Sequence, residues 1–137
     1  METKEMEDKK IANVLDAWYH AMANKDMQAF AAMMTDTFVV VEHDTLISGA
    51  DLVQMLTAEI DELGDAFSFS ADLSDHNITV HGDVAWCTHR NFEVFGQRDG
   101  TKLELDFIET VVFQKSNGHW LMDRYHATKL REAVICG

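Results

Sequence analysis

From Leu103 to Phe113 every second residue is apolar except one: Leu103, Leu105, Phe107, Glu109, Val111 and Phe113. Alternate side chains of a strand share a face, so this segment predicts a buried face with a single carboxylate at its centre. The opposite face starts polar at Lys102, Glu104 and Asp106 and turns apolar at Ile108 and Val112. An ionised carboxylate without partners is costly to bury, so Glu109 is protonated, paired, or open to a cavity. An acid isolated on an apolar strand face points to a pocket more firmly than to a reaction.

Composition narrows the partners. A length of 137 residues suits a single domain over 1–137, and 47% hydrophobic with 26% charged residues is an ordinary globular balance. A formal charge of −13, spread along the chain, argues against nucleic acid and against anionic membranes, which both require a basic footprint. Residues Met1 to Lys10 hold no apolar stretch, so no signal peptide is expected, and no segment approaches the roughly 18 apolar residues of a membrane span. Cys87 and Cys136 read as free thiols of a reducing, cytoplasmic setting.

Ile11, Val14, Leu15, Trp18 and Met22 fall at helical spacing, with Tyr19 beside them. Asp26 can cap a short second helix through Phe30 to Met34, and Thr35-Asp36-Thr37 reads as a turn. Phe38 to Glu42 and Thr45 to Ile47 form short strands around a turn at His43-Asp44. Ser48 with Asp51 opens a third helix through Leu63. Next comes a strand from Ala66 to His81, bulged near Ser74-Asp75. Three hairpin-joined strands follow, Val84 to Phe95, Thr101 to Lys115 and Trp120 to Lys129. The order is α+β: helices cover one face of a curved, mostly antiparallel sheet.

The last three strands are apolar on both faces. One set holds Ala85, Cys87, Leu105, Phe107, Val111 and Phe113; the other holds Trp86, Phe92, Ile108, Val112, Trp120 and Met122. Helices on one face leave the second set uncovered, which predicts a homodimer through the face with Trp86, Phe92 and Trp120.

Three segments carry a family resemblance: Ala23-Asn24-Lys25-Asp26-Met27-Gln28-Ala29-Phe30, Ile47-Ser48-Gly49, and the closing hairpin from Glu109 through Gly118-His119-Trp120 to Thr128. In order and spacing the chain resembles the nuclear transport factor 2-like, or SnoaL-like, superfamily. The resemblance implies a cone-shaped barrel with three N-terminal helices on its concave face. The hairpin is most similar to the association domain of calcium/calmodulin-dependent kinase II and its stand-alone bacterial relatives.

The resemblance also implies roles. Glu42 falls where the superfamily's ketosteroid isomerases place a carboxylate base, and Glu109 where they place a protonated acid. Trp18 stands where those enzymes have a tyrosine donor, a departure that weakens proton donation. In the kinase association domain pocket arginines fall near Asn91 and Val111, and neither is present here.

From strand alternation alone, His89, Asn91 and Glu93 share the face of Ala85 and Cys87, and His89 can pair with Glu109. Asp123 and Tyr125 share the pocket face if the last hairpin is in register; a slip by one residue substitutes Arg124 and His126. No metal or cofactor motif is found, and Cys87 has no base beside it in the sequence. The leading reading is a dimeric protein with an apolar pocket ringed by Trp18, Glu42, His89, Asn91, Glu109, Val111, Asp123 and Tyr125. It binds a small organic molecule, with acid–base chemistry of isomerase, cyclase or dehydratase type on a carbonyl compound by Glu42 and Glu109. The alternative is a non-catalytic oligomerisation module resembling the kinase domain.

Overall fold

The computed structural model describes residues 3–42 and 44–136, so the turn expected at His43 lies in part outside the described residues. Helix α1 (Lys4–Ala23) begins where the Thr3 hydroxyl accepts the Met6 N–H at 3.2 Å. Ile11, Leu15, Trp18 and Met22 are buried along one stripe of it. The chain reverses through Lys25, which adopts a positive φ of 63°. Asp26 then caps α2 (Met27–Ala32) by accepting the Ala29 N–H at 3.1 Å. Ser48 caps α3 (Gly49–Leu63) in the same way through Asp51 N–H.

Six strands form one sheet: β1 (Met34–Glu42), β2 (Thr45–Ser48), β3 (Phe69–His81), β4 (Val84–Gly96), β5 (Lys102–Ser116) and β6 (His119–Ile135). Their order is β2-β1-β6-β5-β4-β3, and every pairing is antiparallel except β1 with β6. The fold is the α+β cone expected from the sequence: a curved open sheet with the helices at the N-terminus. The core is one cluster between them, anchored by Phe30, Phe38, Phe113, Ile11, Leu15 and Met122.

Two local expectations are corrected. Helix α2 stops at Ala32, and Thr35-Asp36-Thr37 lies within β1 rather than in a turn. The β1–β6 register shifts between Met34 and Val39, and the Thr35 and Thr37 hydroxyls donate to Asp123 Oδ1 at 2.6 and 2.5 Å. Two side-chain bonds thus hold the chain where ladder pairing is interrupted.

The second correction concerns Trp120. Val112 pairs with Arg124 but Phe113 pairs with Met122, so Asp123 is an extra residue in β6. A bulge shifts the alternation by one, which turns Trp120 and Met122 onto the inner face with Tyr125 and Ala127. Trp120 is therefore buried against α1, its Nε1 donating to Glu7 Oε2 at 3.0 Å, and does not belong to the outer face. Strand β3 is also bulged, between Ser74 and Asn77, and Asp75 has a φ of 58°.

Candidate functional site

The inner face of β4 and β5 is a ladder of cross-strand pairs. From the open end inward these are Phe95–Leu103, Glu93–Leu105, Asn91–Phe107, His89–Glu109, Cys87–Val111 and Ala85–Phe113. The polar residues of this face lie in the middle of the ladder, between apolar rungs at both ends.

Glu109 is fully buried; its two oxygens accept from Tyr19, Tyr125 and Asn91 and lie at hydrogen-bond distance from His89. On Oε1 are the Tyr19 hydroxyl at 2.7 Å and His89 Nε2 at 2.9 Å. On Oε2 are the Tyr125 hydroxyl and Asn91 Nδ2, the latter at 3.1 Å. Of the three states open to Glu109 from sequence, the structure shows the paired one. Tyr19 also contacts Tyr125 hydroxyl to hydroxyl at 2.9 Å. Burial first pushes both tyrosines well above their ordinary pKa; Tyr125 and the nearby carboxyls add to the rise at Tyr19, whereas at Tyr125 Glu109 and Glu93 add to it and the Tyr19 bond opposes it.

Asn91 Nδ2 bonds a second carboxyl as well, Glu93 Oε2 at 2.6 Å. Burial, followed by repulsion from Glu109, pushes Glu93 up to about 8, with Glu42 adding to the rise and the Asn91 bond opposing it. Glu93 is thus a carboxylic acid at neutral pH, two residues from an amide that also serves Glu109. Asn91 Oδ1 is buried and meets no hydrogen-bond partner among the described residues.

The remaining sequence candidates divide. Val111 is fully buried on the rung behind Glu109. Glu42 lies in one row with His89, Glu109 and Ala127 across the sheet, half-buried and separated from Glu109 by Ala127. Trp18 is buried, stacked on Phe30 at 4.4 Å between centroids, and its Nε1 finds no acceptor among the described residues. Asp123 is buried but faces Thr35, Thr37 and Arg124, apart from the Glu109 cluster, because the bulge turns it toward β1. Arg124 and His126 are exposed, so Tyr125 is the residue the register brings to the cluster.

Two members of the cluster were not among the sequence candidates. Tyr19, not Trp18, reaches Glu109, and Glu93 joins through Asn91. Glu93 carried a legible signal, since it continues the inner-face alternation of His89 and Asn91. No base was expected beside Cys87, yet its sulfur lies 3.5 Å from His89 Nδ1, one pleat along the strand. Desolvation first raises that thiol to about 11, which keeps it protonated. Among the described residues no group of three or more His, Cys, Asp or Glu is arranged to hold a metal ion.

A cleft of about 400 Å³ opens between α3 and the β4–β5 hairpin, lined by Leu56, Leu63, Phe95 and Leu103 with Glu59 and Arg98 at its rim. Its Phe95–Leu103 rung is next to the Glu93–Leu105 rung of the same ladder, where the Glu93 side chain is buried rather than part of the cleft lining. One such step along a strand is roughly 7 Å.

Comparison with known proteins places this geometry. Residues 11–129 match the family model of the SnoaL-like domain. A conserved protein from Planctomyces limnophilus superposes with a TM-score of 0.81 at 16% identity, over 93% of this chain and 100% of that one. An NTF2-like family protein from Streptomyces avermitilis gives 0.80 at 17% identity, over 94% and 99%. A hexachlorocyclohexane dehydrochlorinase from Novosphingobium barchaimii gives 0.75 at 9% identity, over 94% and 90%. These likenesses establish the fold. No curated protein matches the sequence.

Proposed function

Because the chain belongs to the SnoaL-like domain family, and fold alone does not fix chemistry, we propose from the site that it binds a small organic molecule through the α3 cleft and exchanges a proton with it. The observation that carries this reading is the pair of buried carboxyls in unlike environments. Glu109 is hydrogen-bonded by four side chains, whereas Glu93 beside it is pushed up to about 8. Such a split is the arrangement that acid–base chemistry at neutral pH needs. In this reading Glu93 meets the ligand, Glu109 orients Tyr19 and Tyr125, and Glu42, in the row of Glu109, is a further carboxyl that acts on Glu93. Carbonyl compounds with an exchangeable α-proton are the substrate class that this chemistry suits. The test is incubation with aromatic and alicyclic ketones in deuterium oxide, following α-deuteration by NMR. Exchange above background that Glu93→Gln abolishes supports the proposal. Binding without exchange makes the protein a receptor, and neither outcome in any ketone sinks it.

The outer face supports a homodimer of a single-domain chain. Val84, Trp86 and Ile108 are 40–41% exposed there, with Phe92 and Val112 half-buried among them. This patch favours association whether the module is catalytic or, like the kinase association domain its last hairpin resembles, serves assembly. A ring larger than a dimer in light scattering would favour the assembly module. The free thiols Cys87 and Cys136 suit the cytoplasm, and among the described residues no helix is long and apolar enough to cross a membrane.

A further inference from the structure

The acid cluster is sealed. Glu109, His89, Asn91, Glu93, Tyr19 and Tyr125 are all buried, so a proton gained or lost among them needs a way to and from solvent. The pairing of β3 with β4 shows where one begins. Ser74 pairs with Arg90 and Asn77 with Thr88, so two residues, Asp75 and His76, stand opposite a single one, His89. Asp75, at a φ of 58°, accommodates the extra residue. The His76 ring is stacked over His89, with centroids 5.6 Å apart and planes at 20°. His76 is exposed where His89 is buried. One row across the sheet thus leads from solvent to its centre: His76, His89, Glu109, Ala127 and Glu42.

The two nitrogens of His89 face different ways. Nε2 lies 2.9 Å from Glu109 Oε1, and Nδ1 is held by the long, weak 3.5 Å contact with the Cys87 sulfur. We infer that His76 is the port through which the buried cluster exchanges protons with solvent, a role that rests on the acid–base reading above. In the inward step, protonated His76 passes a ring proton through one water to His89 Nδ1. The Nε2–H bond of His89 breaks as its proton moves to Glu109 Oε1, and neutral His76 takes a new proton from solvent. The outward step is the reverse, and the balance is one proton moved between solvent and Glu109. An imidazole suits the task because it both gives and takes a proton near neutral pH. The groups that act on His76 are His89 from β4, Asp16 from α1 and Asp75 from its own bulge. Burial first, then His89, lower its pKa against the two carboxylates, so its proton is readily released at pH 7.

Nitrogen-15 NMR of the His89 ring N–H at pH 7 follows the step as the rate at which that proton exchanges with water. His76→Ala removes the port and leaves a gap that a free imidazole can enter. Exchange should slow at least roughly tenfold in this variant, and added 4-methylimidazole should restore it. A purely structural role for His76 would give no such rescue. His76→Phe keeps a ring on His89 but fills the gap, and should be slow with or without the added base. Should the variants fold poorly, the unaltered protein still gives a pH profile: exchange should rise as pH falls and level off below the His76 titration, read from its ring carbon protons. Exchange in His76→Ala as fast as in the unaltered protein, slow exchange that the base does not rescue, or a profile without a plateau overturns the port. The α-deuteration of ketones is a separate readout. A working port without deuteration sinks the ligand chemistry alone, and deuteration with His89 exchange unchanged in His76→Ala sinks the port alone.

Discussion

Tyr19 donates its hydroxyl to Glu109 at 2.7 Å across 90 positions of sequence, tying the first helix to the middle of the fifth strand. Its removal leaves Glu109 Oε1 with His89 as its remaining partner. Tyr19→Phe is therefore expected to lower the free energy of unfolding by about 1–3 kcal/mol, the cost of an under-satisfied buried carboxyl. Urea unfolding followed by far-ultraviolet circular dichroism measures it, and a change within experimental error would mean that the bond is not a stabilising one.

The chain has 2 tyrosines, and both belong to the cluster. Each is raised well above its ordinary value of 10.0. Spectrophotometric titration should thus show no tyrosinate absorbance through the usual range, followed by a single step that coincides with unfolding. The sign agrees with linkage: a raised folded pKa gives stability that is complete at low pH and is lost as pH climbs. Reversible ionisation of one tyrosine near pH 10 in folded protein would contradict the cluster.

Glu93 acts in a lower window. Its folded value of about 8 lies above the ordinary 4.5, so its contribution is full below 4.5 and declines as pH rises through 8. The decline is on the order of a few kcal/mol. Glu93→Gln should flatten this slope, and should be more stable than the unaltered protein above pH 8 though close to it at pH 5. Thermal melts across that range measure the difference. A Glu93→Gln variant less stable at both ends would show that the side chain is ionised and paired.

These outcomes depend on residues that were unevenly legible in sequence. The inner face of β4 and β5 was legible because strict alternation survives there; Glu109, His89 and Asn91 meet as their spacing implies. Trp120 was misplaced because one extra residue, Asp123, reverses the alternation along β6, and no turn residue marks the bulge. Tyr19 was missed for a different reason. Trp18 and Tyr19 both lie on the buried side of α1, and which of two adjacent helical residues reaches a distant acid depends on helix rotation. Helical spacing defines a stripe, not the aim of each side chain within it.

Asp123 gives a test of the bulge itself. Burial alone would raise its pKa, but the Thr35 and Thr37 hydroxyls and the Arg124 charge outweigh this and leave it lowered. The stability from that lowering is present above its ordinary value of 3.8 and is lost as pH falls below it. Asp123→Asn should cost about 1–2 kcal/mol at pH 7, and much less at pH 3. Equal costs at both pH values would assign the residue a purely steric role.

The outer face gives a prediction on assembly. Trp86→Glu places a charge among Val84, Ile108 and Val112 and should convert a dimer to a monomer in sedimentation while sparing the fold. Trp120→Phe, on the other face, should leave the association unchanged. A monomeric unaltered protein would remove the dimer proposal.

The bulge in β3 has a consequence for life in a crowded solution. An open sheet ends in two unpaired edges, and a long flat edge invites another chain to add a strand to it. At one end β2 spans only Thr45–Ser48, too short to serve as a template. At the other, β3 runs from Phe69 to His81, long enough to be a hazard. The irregularity between Ser74 and Asn77, with the left-handed Asp75 and the exposed acid Asp72 nearby, breaks that edge into two stubs. Straightening it by deleting the one extra residue would give the molecule an adhesive rim, and the expected product is filaments rather than a better folded monomer.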